Sequence, residues 1–282
     1  SITSSMTDNI VSLHIYNITL LNMALFGGNV CSTPAPFWQN GPTPGCFYDF
    51  PGSTMQSVDH GMRQRSQAPM TTGTSVIGIQ FKDGVIIAAD ILASYGSLAR
   101  YRNCERIMKV NDNILLGASG DYADFQCIKS NIEKKILDEQ CLDDGFSLKP
   151  KALYCWLTRV MYNRRSSYDP FWNNFVIAGL HDGKPFLGTV DKLGTAYIDP
   201  VIATGYGAYM ATPLLRKAYE ENSEMTKEEA KELLYKAMQV LFYRDARSFP
   251  KYYLGVITKD EGVEIEGPLT LDSNWEAAVL TK

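Results

Sequence analysis

Two apolar segments joined by a tight turn, residues 75–81 and 85–91, are the feature that most restricts how this chain can fold. Both are rich in β-branched residues, which favour strands. The turn between them, Lys82-Asp83-Gly84, ends in the glycine that tight hairpins favour. The sequence therefore predicts a pair of antiparallel strands at this point.

Hydrophobic patterns further along predict that strands and helices alternate in blocks. Strands are predicted at residues 106–110, 114–118, 175–180, 185–190, 195–198, 252–258 and 263–265. Apolar residues at helical spacing predict helices around residues 125–136 and 153–161. A later helical pair is predicted, and its second member begins with a capping box from Thr226 to Glu229. This order predicts an α+β fold in which two sheets pack between helical layers.

The chain of 282 residues divides into three parts, of which the middle one carries the globular pattern. The first 62 residues contain no lysine or arginine, and proline, glycine and aromatic residues dominate residues 31–51. We therefore expect a weakly ordered prosegment at residues 1–65, a folded domain at 66–271 and a tail at 272–282. Residues 10–26 are apolar but lack the basic region of a signal peptide. If translation starts at Met23, residues 1–22 are not made.

Charge and cysteine content exclude several classes of function. The net charge of −4, without a long basic run, argues against a nucleic-acid-binding protein. The six cysteines form no CxxC pair, which fits a reducing compartment better than a disulfide framework. The three histidines are too dispersed for a zinc site. We expect no metal, organic cofactor or membrane partner.

A threonine directly after a glycine stands at the start of the first predicted strand, in Gly73-Thr74-Ser75. A threonine with a free α-amine carries nucleophile and base in one residue. Cutting the Gly73–Thr74 bond would create such a residue. A threonine at the start of a strand is also an ordinary β-former, so both interpretations stay open from this residue alone.

Several short motifs follow one another in an order and spacing that resemble the β subunits of the 20S proteasome. They are Ser-Tyr-Gly-Ser-Leu at 94–98, Gly-Ala-Ser-Gly-Asp at 117–121, Ala-Thr-Gly-Tyr-Gly at 203–207, Tyr-Arg-Asp-Ala-Arg-Ser at 243–248 and Val-Glu-Ile-Glu-Gly-Pro-Leu at 263–269. The resemblance covers residues 66–282 and implies the four-layer αββα sandwich of the N-terminal-nucleophile hydrolases. The runs at 67–73, 94–100 and 120–125 favour a non-catalytic class of these subunits.

Carried over position by position, the resemblance places the family's nucleophile at Thr74 and its orienting aspartate at Asp90. The aspartate and serine that assist the N-terminal amine fall on Asp245 and Ser248. Gly120 is the counterpart of the oxyanion-hole glycine. These five positions keep the residue types that the family's chemistry uses.

Two other positions depart from the active members of the family. Their lysine falls on Arg106 here, and the serine of an active-site loop falls on Tyr206. Arginine is always protonated, larger and planar, so it would crowd Thr74 and cannot take part in proton transfer. Asp90 is then expected to pair with Arg106, and the phenol of Tyr206 to fill part of the site. Because catalytic groups that act as a unit fail together, we expect a vestigial site.

The resemblance also implies how the chain is processed and what it binds. An inert Thr74 implies trimming by an active neighbour near Arg65 and Ser66, which leaves an eight-residue extension. The implied partners are α and β subunits in a 28-subunit barrel that degrades ubiquitin-tagged proteins in the cytoplasm and nucleus. The tail, with Trp275, Val279 and Leu280, is expected to reach the opposite β ring.

Two other functions remain open at this point. The first is an active threonine endopeptidase that cuts its own Gly73–Thr74 bond. The second is a free-standing N-terminal-nucleophile amidohydrolase that works without ring partners.

The tail also has a second interpretation. An apolar segment that follows a finished fold is commonly frayed, so residues 272–282 need not bind a partner.

Overall fold

The structure, a computed structural model, describes residues 71–276. The predictions for the prosegment, Arg65, Ser66, Val279 and Leu280 lie outside these residues. The strands, in chain order, are β1 (Thr71–Gly73), β2 (Val76–Phe81), β3 (Gly84–Asp90), β4 (Ala93–Tyr95), β5 (Leu98–Tyr101), β6 (Ile107–Asn111), β7 (Ile114–Asp121), β8 (Asn173–His181), β9 (Lys184–Val190), β10 (Ala196–Ile198), β11 (Val201–Ala203), β12 (Lys251–Thr258) and β13 (Gly262–Thr270). The helices are α1 (Tyr122–Leu142), α2 (Pro150–Ser166), α3 (Gly207–Met210), α4 (Thr212–Glu221) and α5 (Lys227–Arg244).

The strands form two antiparallel sheets. The larger has eight strands, in the order β10-β9-β8-β7-β1-β4-β5, with β6 also paired to β7. The smaller has five, in the order β11-β2-β3-β12-β13. Strands β1 and β2 are consecutive in the chain but belong to different sheets, so the two residues between them cross from one sheet to the other.

Strand β3 shows why the sheets stack between helices. Successive side chains of a strand point to opposite faces, and both faces of β3 are apolar. Ile86 packs in a cluster with Leu234 of α5, whereas Ile87 packs in a cluster with Leu115 of β7. One face of the smaller sheet therefore meets helices and the other meets the larger sheet.

The outer face of the larger sheet is covered in the same way by α1 and α2. Ile128 of α1 and Leu157 of α2 are fully buried in one cluster with Leu116 and Phe175 of the sheet. The layers are thus helix, sheet, sheet, helix, which is the predicted α+β sandwich. Among residues 71–276, no helix combines the length and the apolar character that crossing a membrane requires.

The hairpin predicted from residues 75–91 is confirmed, and its glycine has a second purpose. Phe81 pairs with Gly84 across the turn. A Cβ atom on Gly84 would lie 1.8 Å from the carbonyl oxygen of Ile257. Strand β12 pairs with β3 at this point, so the backbone leaves no room for a side chain.

The sequence patterns found the long elements and the short strand β10, but they missed several other short strands. The capping box of α5 is confirmed, because Thr226 Oγ1 accepts from the Glu229 N–H at 3.3 Å and Glu229 Oε2 accepts from the Thr226 N–H at 2.9 Å. Strands β1, β4, β5 and β11 have only three or four residues, which is too short for periodicity. Strand β13 extends well beyond the predicted residues 263–265, since it is a largely exposed edge strand without clear alternation.

A cavity in the layer between the sheets should destabilise the domain strongly. Replacing the fully buried Leu115 by alanine (Leu115→Ala) should lower the free energy of unfolding by about 2–5 kcal/mol. Urea denaturation of the isolated chain measures the loss. The matched control is Leu137→Ala on α1, where the side chain is 59% exposed and about 0.5 kcal/mol or less is expected. Equal losses in the two variants would contradict this account of the core.

Candidate functional site

The candidate site lies where the chain crosses between the sheets. Gly73 is the last residue of β1, and Thr74 and Ser75 form the crossing before β2 begins. Arg106 directly precedes β6 and is only 2% exposed. The side chain of Arg106 lies against the crossing, so the site is built on a buried cation.

All five N–H groups of the Arg106 side chain have acceptors. Nη1 donates to the carbonyl oxygens of Thr74, at 2.8 Å, and Ala118, at 3.0 Å. Nη2 donates to the carbonyl oxygen of Ser75, at 3.1 Å, and to the carboxylate of Asp90. Nε donates to the carbonyl oxygen of Asp90 at 3.1 Å. An arginine side chain has five N–H donors and lysine has three, so lysine cannot reproduce this set of contacts.

Asp90 provides the negative charge that compensates Arg106. It ends β3 and is 2% exposed. Burial raises the pKa of the Asp90 carboxyl to about 6, although the adjacent Arg106 guanidinium lowers the pKa and opposes this effect. The pKa remains below 7, so at neutral pH the carboxyl is mostly ionised and forms the ion pair with Arg106.

Thr74 is bound to Asp245 through its hydroxyl. Thr74 Oγ1 donates to Asp245 Oδ2, while Asp245 Oδ1 accepts from the Arg247 N–H at 2.9 Å. Asp245 follows the last residue of α5, so the end of this helix positions its carboxylate. The hydroxyl proton of Thr74 therefore points to a carboxylate.

Ser248 lies near this group but bonds elsewhere. Its hydroxyl donates to the carbonyl oxygens of Asp245, at 2.7 Å, and Phe242, at 3.2 Å. Both acceptors belong to the end of α5. Ser248 therefore binds carbonyl groups that the helix leaves unpaired. Its expected role of assisting the amine of Thr74 stays a prediction.

The Gly73–Thr74 bond lies at the end of a paired strand. Gly73 is opposite Ala93 of β4 on one side and opposite Gly120 of β7 on the other. A Cβ atom on Gly73 would lie 2.4 Å from Cδ of Arg106. Glycine at this position is thus a condition for burying the arginine.

The position of Gly120, the expected oxyanion-hole glycine, also requires glycine. Its φ of +94° favours glycine. A Cβ atom there would lie 2.0 Å from the carbonyl oxygen of Trp172. The structure therefore places Gly120 next to the Gly73–Thr74 bond, at a position that accepts no larger residue.

The turn that carries Tyr206 reaches the crossing through its backbone. The N–H of Gly207 donates to Ser75 Oγ at 2.8 Å. The Tyr206 side chain is 59% exposed and, with Tyr209 and Thr189, lines a surface pocket of about 520 Å³. That the phenol fills part of the site around Thr74 stays a prediction.

Sequence reasoning identified the side chains of the site but missed the carbonyl groups that bind Arg106. The carbonyls of Thr74, Ser75 and Ala118 carry no sequence signal, because every residue has one. Only the glycine at position 73 hinted that something approaches the backbone closely. Within the described part of the chain, no group of three or more His, Cys, Asp or Glu side chains is arranged to hold a metal ion.

Comparison with known proteins gives a consistent result over most of the chain. The sequence model of the family described as proteasome subunit matches residues 70–257. A Xenopus laevis protein, proteasome subunit beta type-4, is 53% identical over 240 residues, which cover 85% of this chain and 96% of the relative. The Drosophila melanogaster protein of that name is 45% identical over 264 residues, 90% of this chain and 98% of the relative. Proteasome subunit beta type-7 of Saccharomyces cerevisiae is 41% identical over 222 residues, 76% of this chain and 84% of the relative.

Removing the charge of Asp90 should destabilise the domain, because it leaves the buried Arg106 without a counter-charge. We expect Asp90→Asn to lower the free energy of unfolding by about 3–5 kcal/mol, as measured by urea denaturation. The matched control is Asp199→Asn, which removes a more exposed ion pair with Arg216 and should cost about 1 kcal/mol or less.

A double variant separates the ion pair from the general effects of substitution. Combining Asp90→Asn with Arg106→Met should cost less than the sum of the two single losses, because neither partner then remains buried and alone. Strict additivity, or a loss in Asp90→Asn no larger than in the control, would contradict the interpretation.

Proposed function

The chain belongs to the proteasome subunit family, as a β-type member, and on that premise we propose that it is a structural subunit that cleaves no peptide itself. Members of this family assemble with other proteasome subunits in the core particle, which carries out proteolysis. The proposal concerns what this particular subunit contributes to that particle.

The observation that carries the proposal is that Arg106 has no free N–H group. A threonine nucleophile needs a base for its proton and a nearby cation to stabilise the charge that develops on its oxygen. The Arg106 guanidinium directs all five N–H groups at Asp90 and three other backbone carbonyls. None is directed at Thr74 Oγ1. The cation is close to the threonine, but its hydrogen bonds hold the backbone.

A second observation concerns access to Thr74. Strand β1 fills the position between β4 and β7, so an extended peptide cannot pair with both of these strands while residues 71–73 remain there. The Thr74 nitrogen is also part of the amide bond to Gly73 and cannot act as a base.

The alternative, a subunit that cuts its own Gly73–Thr74 bond, has one argument in its favour. Asp245 accepts the hydroxyl hydrogen bond of Thr74 and is therefore placed to take the proton. Among the residues that the structure describes, Arg106 is the cation that binds this crossing, and all of its N–H groups are bound to other acceptors, so none of them stabilises the oxygen after the proton has left. We therefore favour the non-catalytic role.

The proposal extends to processing, assembly and location. We propose that an active neighbour trims the prosegment near Arg65 and Ser66, and that residues 66–73 stay attached. The mature subunit then works in a 28-subunit barrel in the cytoplasm and nucleus, in ubiquitin-dependent degradation. The tail of residues 272–282 joins the β ring of one half-particle to the opposite ring.

Intact mass of the subunit from assembled particles tests whether the Gly73–Thr74 bond survives. We expect a chain that begins near Ser66 and contains Gly73, because the N–H groups of Arg106 are all bound to other acceptors and are not available for self-cleavage. A chain that begins at Thr74 would overturn the non-catalytic assignment.

The matched control is the same measurement on particles that contain Thr74→Ala. Trimming by a neighbour leaves the starting residue unchanged in this variant, whereas self-cleavage requires the hydroxyl and would be abolished. A change in the starting residue between the two particles therefore also contradicts the proposal.

Deleting residues 272–282 should weaken the joining of half-particles, because the proposed contact with the opposite ring is lost. Native mass spectrometry over a range of concentrations measures the ratio of half-particles to full particles. We expect this ratio to rise at least about tenfold, which corresponds to 1.4 kcal/mol. An unchanged ratio would sink the proposed role of the tail.

A further inference from the structure

The first residues of the tail run along the outer surface of helix α5. The Asp272 N–H donates to the hydroxyl of Tyr235 at 3.1 Å, and the Asp272 carbonyl accepts from Gln239 Nε2 at 2.8 Å. The Asn274 N–H donates to the hydroxyl of Tyr243 at 2.6 Å. Three side chains of one helix thus bind the backbone of residues 272–274.

The spacing of the three side chains sets the direction of the tail. Tyr235, Gln239 and Tyr243 are four residues apart, so they form a stripe on one face of α5. Asp272 contacts the earlier part of this stripe and Asn274 the later part. The tail therefore runs in the same direction as the helix, towards its C-terminal end.

Trp275 completes the contact as an exposed aromatic residue. Its ring meets the ring of Tyr243 edge-on, at 5.1 Å between centroids, and the ring of Phe242 at 6.2 Å. It is nevertheless 52% exposed. Large aromatic residues held in this way commonly anchor protein interfaces.

The tail residues that contact α5 are exposed, although Tyr235 and Phe242 themselves pack against the core of the domain. Leu271 is 3% exposed, and its N–H donates to the carbonyl oxygen of Pro250 at 2.7 Å. Residues 272–276 are all exposed. An exposed terminal segment can detach while the domain stays folded, so the contacts with α5 orient the tail more than they hold the fold together.

We propose that Tyr235, Gln239 and Tyr243 are positioning residues that fix the direction in which the chain leaves the domain after Trp275. This inference rests on the proposed function, in which the tail joins two half-particles. A tail whose first residues, 272–275, are held on α5 loses less conformational entropy when it docks than a tail that moves freely. Under the proposed function the partner is a second proteasome β ring, and we expect the joining to depend on the direction in which residues 272–275 leave the domain.

The double variant Tyr235→Phe/Tyr243→Phe tests the inference, because it removes both hydroxyls and keeps both rings. We expect the ratio of half-particles to full particles to rise about fivefold for each hydroxyl removed. Hydrogen exchange of residues 272–276 in half-particles should become faster, while the melting temperature of the isolated subunit stays the same.

Two further variants sharpen the test. Gln239→Ala removes the third contact without touching an aromatic ring, and it should shift the ratio in the same direction. The matched control is Tyr162→Phe/Tyr197→Phe, which removes two exposed hydroxyls far along the chain from the tail. The control should leave the exchange of residues 272–276 unchanged.

The outcomes separate this inference from the function on which it rests. If deleting residues 272–282 impairs joining but the positioning variants do not, the inference is overturned and the role of the tail stands. If the deletion has no effect, both are overturned. A melting temperature that falls in step with the loss of joining would assign the three residues a merely structural role and also overturn the inference.

Discussion

The guanidinium of Arg106 is the group on which the rest of the structure depends. It binds the crossing between the two sheets at Thr74 and Ser75, the end of β3 at Asp90 and the strand β7 at Ala118. A buried charge is costly unless it is paired and fully hydrogen-bonded. Here four backbone carbonyls and the carboxylate of Asp90 accept all five N–H groups, so the cation connects the two sheets.

The same contacts that bury the cation are the basis of the proposed non-catalytic role. An N–H group that binds a backbone carbonyl is not available to stabilise charge on the Thr74 oxygen. The arginine also requires glycine at position 73, since a side chain there would collide with Arg106 Cδ. With glycine at this position, strand β1 can lie between β4 and β7 while the Gly73–Thr74 bond is intact. Stability and the proposed loss of activity thus have one physical cause.

Helix α5 links this site to the proposed assembly role. Asp245, directly after its last residue, binds the Thr74 hydroxyl, and the outer face of the helix binds residues 272–275. The sequence predicted the helix well, because its capping box and its apolar spacing are local features. It did not predict that two half-buried tyrosines of this helix bind the tail, because nothing in a sequence shows which residue of a helix a distant segment will contact.

By itself, the sequence determined the long strands and helices, the layered α+β fold and, through the resemblance to a family, the positions of Thr74, Asp90, Arg106 and Asp245. Hydrophobic periodicity and capping are local, so they can be read without a structure. Only the tertiary structure decided how Arg106 is used. Its acceptors are mostly backbone carbonyls of the crossing and of strands β3 and β7, and a carbonyl is chemically the same at every residue. Its partners follow from how the two sheets stack.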